Sequence, residues 1–98
     1  MPSTNTADTR LLLWPSTVYI AMYTVDADGR RGPMESDEPC SLAEFLLGNT
    51  DPETGKAYST SEDLRIINSL QDKPIGAIVR TCHDMVSWEF ERVAPPTK

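Results

Sequence analysis

The sequence predicts an α+β fold, a small antiparallel sheet of three or four strands with two short helices packed on one face. Three observations predict it. Residues 17–25 are dense in β-branched and aromatic side chains, Ser41 and Ser61 each stand at the start of a short helical period, and residues 86–91 alternate apolar and polar residues.

Taken in order, residues 1–10 are rich in Ser, Thr, Asn and Asp with no apolar period, and read as a flexible tail. A single domain is expected over residues 11–94, followed by a flexible C-terminus at 95–98, where Pro95 and Pro96 end the ordered chain. In the first strand Val18, Ile20 and Met22 share one face, and Tyr19, Ala21, Tyr23 and Val25 share the other. Apolar character on both faces marks a central strand. Asp26-Ala27-Asp28-Gly29 is a turn, and residues 30–34 can return as a partner strand that Gly32 and Pro33 confine to a sheet edge or a loop.

Ser41-Leu42-Ala43-Glu44 is a capping-box pattern, in which the Ser oxygen accepts the third residue's N–H and Glu44 reaches back to the Ser N–H. A short helix should run from about Leu42 to Leu47 and end through Gly48 in a left-handed cap. Residues 50–56 read as a turn-rich loop. A second helix begins near Ser59 or Ser61, with Glu62 and Asp63 in its first turn and Leu64, Ile67 and Leu70 on one face, until Pro74 stops it. Residues 75–81 read as a strand, residues 82–85 as its connection, and residues 86–91 as the closing strand of a hairpin.

The chain has 98 residues, 39% hydrophobic and 24% charged, the composition of an ordinary soluble domain. The longest apolar stretch, Leu11-Leu12-Leu13-Trp14, stops at Pro15, far short of the ~20 residues of a membrane-spanning helix. The polar start, which carries Asp8, lacks a secretory pattern, so a cytoplasmic location is expected. Cys40 and Cys82 are then expected as reduced thiols.

Each catalytic or ligand template meets a specific obstacle. Gly48 to Lys56 places six residues between its glycines, where a Walker loop has four, and Ala57 stands where Ser or Thr would hold magnesium. A calcium loop counted from Asp26 meets Arg30 and Arg31 at its fifth and sixth positions and Asp37 at its twelfth. Cys40, Cys82 and His83 lack the paired spacing of a zinc site. Cys82-His83-Asp84 sets a thiol, an imidazole and a carboxylate side by side, but neighbours in an extended segment point to opposite faces. No catalytic residue, metal ligand or cofactor is therefore assigned. A small hydrolase using Cys82 and His83, or a carboxylate pair, is the alternative enzymatic reading. Trp14, Trp88 and Phe90 could form a binding platform, but the alternation at Val86, Trp88 and Phe90 favours a core role.

What survives is the arrangement of charge. Nine Lys and Arg face fifteen Asp and Glu, a formal net charge of −6. Between Arg31 and Lys56 stand Glu35, Asp37, Glu38, Glu44, Asp51 and Glu53 with no base among them, so this segment holds the whole net excess. Such a balance disfavours direct binding of nucleic acid and suits a protein partner with a basic surface. The sequence thus predicts a non-enzymatic acidic interaction module that regulates or inhibits a partner. That is the general character of proteins with which phages and mobile elements block host restriction or CRISPR complexes. Tyr19 and Tyr23, on a sheet face that two helices on the other side would leave bare, complete the expected contact residues and offer an alternative homodimer surface.

Overall fold

The computed structural model describes residues 6–8, 13–35, 38–83 and 85–96. The chain runs β1 (Thr6–Asp8), β2 (Tyr19–Val25), β3 (Arg31–Met34), β4 (Cys40–Ser41), α1 (Leu42–Gly48), β5 (Lys56–Thr60), α2 (Ser61–Asn68), a 3₁₀ turn (Ser69–Asp72), β6 (Ile78–His83) and β7 (Val86–Val93). This is the α+β fold expected, with an antiparallel sheet in the order β3-β2-β7-β6. β2 is central, as its two apolar faces require. One edge pairs in full with β7, and the other takes β3 at Tyr23 and Val25 and then β4 at Tyr19 and Ile20. The β2–β3 turn closes around Asp26, whose Oδ1 accepts the N–H groups of Asp28 and Arg30 at 2.9 Å, while Gly29 takes φ 81°. The backbone thus already uses the carboxylate that a calcium loop would need.

Cross-strand register sets the two faces. Ile20, Met22 and Thr24 oppose Arg92, Phe90 and Trp88, and Val79 and Thr81 join them from β6. Both helices pack on this face, giving a core of Val18, Ile20, Leu42, Ile67, Leu70 and Phe90. Trp14 joins it to a smaller cluster of Leu46, Ala57 and Leu64 and stacks on Phe45 at 6.4 Å, and Phe45 meets Phe90 edge-on at 5.4 Å. Phe90 is thus a core side chain, with Trp14 and Trp88 partly buried against that core. Val86 departs from the expected trio at 39% exposed.

The capping box forms in full, with Ser41 N–H donating to Glu44 Oε1 at 2.9 Å and Glu44 N–H donating to Ser41 Oγ at 3.1 Å. Four expectations are corrected. Thr6–Asp8, placed in the tail, is a strand paired with β5, and β5 itself takes the last residue of the expected 50–56 loop and residues 57–60, ahead of α2. Cys82 and His83 lie in β6 rather than in its connection, and Met85, just before β7, adopts φ 66°. Gly48 is the last helical residue and not a left-handed cap; Asn49 ends the helix, its N–H reaching the carbonyls of Phe45 and Leu46. A Cβ added at Gly48 meets nothing within 4 Å. Gly48→Ala should therefore raise the unfolding free energy by about 0.4–1 kcal/mol, chiefly by restricting the unfolded chain, as chemical denaturation will measure.

Candidate functional site

The acidic segment is spread over three connections. Glu35 and Glu38 are exposed where the chain leaves β3 and returns to β4, Glu44 stands in the first turn of α1, and Asp51 and Glu53 lie in the turn after it. Asp37 lies outside the described residues. Two of these acids have local structural tasks. Glu44 is held by Ser41, whose backbone N–H, foremost, and hydroxyl keep its carboxyl below the ordinary value. Asp51 Oδ1 accepts the Glu53 N–H at 2.9 Å. Between them Leu47 is 79% exposed, an apolar side chain amid the acids.

The sheet face away from the helices is not bare, which corrects the view of Tyr19 and Tyr23 as an open apolar patch. Both are half-buried, and Ala21 between them is 2% exposed. The Arg31 guanidinium lies 3.9 Å above the Tyr23 ring, a cation–π contact. Glu89, in register with Tyr23 and Arg80, is only 3% exposed, because Arg31 and Arg80 close over it. Arg31 also reaches Glu91 at 2.9 Å, and Arg80 donates to the Gly29 carbonyl at 3.2 Å. Burial pushes the Glu89 carboxyl up, but hydrogen bonds and charge from the two arginines prevail and hold it below the ordinary value. Alternation along β7 places Glu89 on this face, but the covering arginines come from positions 31 and 80, remote in sequence.

Of the enzymatic candidates, Cys82 is an exposed free thiol opposite Ser87, and His83 takes the next strand position, opposite Val86. Cys40 packs against the core, and burial, with the Glu44 charge, pushes its thiol up, away from a nucleophilic thiolate. No group of three or more His, Cys, Asp or Glu among the described residues is arranged to hold a metal ion.

Sequence reasoning missed the cavity between the helices and the sheet. It has a volume of about 390 Å³, with Met22, Phe45, Ile67, Trp88 and Phe90 as apolar wall. Asn49, Ser59, Thr81 and two acids, Glu44 and Asp63, supply its polar groups, and Asn49 Nδ2 donates to Ser59 Oγ at 2.8 Å. These residues come from β2, α1 and its C-terminal cap, β5, α2, β6 and β7, so no local pattern joins them; the one signal was Asp63 in a T-x-x-D helix start. No helix among the described residues is long and apolar enough to cross a membrane. No protein-family model, curated protein or solved structure matches this chain.

Proposed function

We propose that this chain is a non-enzymatic interaction module that docks its acidic segment on a protein partner with a basic surface and thereby regulates or inhibits that partner. One observation carries the reading: charge is neutralised elsewhere in the molecule. Among the described ion pairs, Arg31, Arg65 and Arg80 reach Glu89, Glu91 and Glu62, which lie outside the segment, and Arg92 is spent on the carbonyls of Leu70, Gln71 and Lys73. Glu35, Glu44 and Glu53 meanwhile stand exposed on a stretch that contains no base. Leu47 offers the apolar contact that an interface centre needs. The finer form of the proposal is a partner whose basic groove normally holds nucleic acid, with carboxylates taking the place of phosphates.

Reversing Glu35, Glu38 and Glu53 together to Lys tests it, and spares Glu44 and Asp51 because they hold local structure. The variant should keep the wild-type melting temperature and slow association with the partner by about 10–1,000-fold, the range of electrostatic steering. Affinity capture from the native host, wild type against variant, followed by mass spectrometry, makes the comparison. An identical captured set would remove the acidic segment from the interface.

A further inference from the structure

The two helices begin alike but close differently. At α1 the longer Glu44 returns to the Ser41 N–H. At α2 Thr60 Oγ1 accepts the Asp63 N–H at 3.1 Å, but the Asp63 side chain, one methylene shorter, does not complete the box. Asp63 is 9% exposed, and its carboxylate has no hydrogen-bond or ion-pair partner among the described residues. Only one other acid among them is as buried, Glu89, and two arginines hold it. Asp63 lines the 390 Å³ cavity with an acceptor group that no protein donor among the described residues occupies.

We propose that this cavity binds an organic cation, an ammonium or guanidinium on a compact apolar body, with its charge against Asp63. Its volume lies in the ~300–1,000 Å³ range of small-molecule sites. Phe45, Trp88 and Phe90 present aromatic surface, which attracts cations, and Glu44 adds negative charge at the wall. No Lys or Arg is among the lining residues. A second cavity of about 560 Å³ shares Asp63 and Thr81 but is also lined by Arg80, which would repel a cation. The charge group therefore belongs in the first cavity, against Asp63.

The test titrates the full chain at neutral pH with phenethylamine and phenethylguanidine, and with 2-phenylethanol and 3-phenylpropionate as neutral and anionic partners of similar shape. Two-dimensional NMR follows the Met22 and Ile67 methyls and the Trp88 indole. The cations should bind at least about tenfold more tightly than the alcohol, the difference expected of a charge-assisted hydrogen bond, and the anion should not bind. Asp63→Asn should abolish the preference for cations and leave the alcohol unaffected. Equal binding of cation and alcohol, a cation preference that survives Asp63→Asn, or no shift up to millimolar ligand would each overturn the proposal. Circular dichroism checks the fold of the variant; should it fail to fold, the charge series on wild type decides alone.

Discussion

Replacing Glu89 by Ala will lower the unfolding free energy by about 2–3 kcal/mol, a large effect for a residue that the alternation of β7 assigns to the polar face. Removing one partner of a buried pair typically costs about 3–5 kcal/mol, because the remaining charge is stranded out of water. Here the stranded groups are Arg31 and Arg80, whose side chains are 34% and 54% exposed and can turn toward solvent, which brings the loss to the lower end of that range or below it. Glu89→Gln keeps the shape and one acceptor and should cost about half as much. Its pH dependence has a defined sign. The carboxyl is held below its ordinary value in the fold, so its contribution is fully present above the unfolded value near pH ~4.3 and is lost as pH falls through the folded value. The stability gap between wild type and Glu89→Gln should be constant from neutral pH to about pH 5 and close below about pH 4. Urea denaturation across that range measures it, and a gap that stays constant down to pH 3 would show that the arginines do not depend on the Glu89 charge.

What could be read from the sequence was what short stretches encode alone. The α1 start is written in four residues, Ser41 to Glu44, whose side chains bond only to one another's backbone, and the β6–β7 hairpin is written in period-2 alternation. β5 was not legible, because Lys-Ala-Tyr-Ser-Thr offers one buried apolar residue, Ala57, and its pairing partner lies some fifty positions earlier in Thr6–Asp8. The same limit governs the sites. The acidic segment is visible as charge because charge can be counted along the chain, whereas the cavity arises from Met22, Phe45, Asp63 and Trp88 meeting across four elements. Asp63 and Glu44 look equivalent in sequence; one methylene, and what the surrounding elements bring near it, makes Glu44 a cap and leaves Asp63 lining the cavity.

Phe90→Ala should be the most damaging substitution. Phe90 is 3% exposed, lies in register with Met22 on one side and Val79 on the other, and meets Phe45 edge-on at 5.4 Å. Truncating a buried Phe costs about 3–5 kcal/mol, of which an edge-on aromatic pair contributes roughly 0.5–1.5 kcal/mol. Phe90 also borders the 390 Å³ cavity, so part of its surface already lacks packed neighbours. The loss should therefore fall near 3 kcal/mol rather than 5, a melting temperature lower by about 12–24 °C for a domain of this size. Phe90→Leu, which retains most of the volume but not the ring contact, should lose less than half of that. If thermal melts show Phe90→Ala within 1 kcal/mol of wild type, the aromatic line Trp14–Phe45–Phe90 is not what joins the helices to the sheet. A loss near the expected value, with Phe90→Leu intermediate, would place the joint there, between the acidic helix α1 and the strand that carries Glu89 on its opposite face.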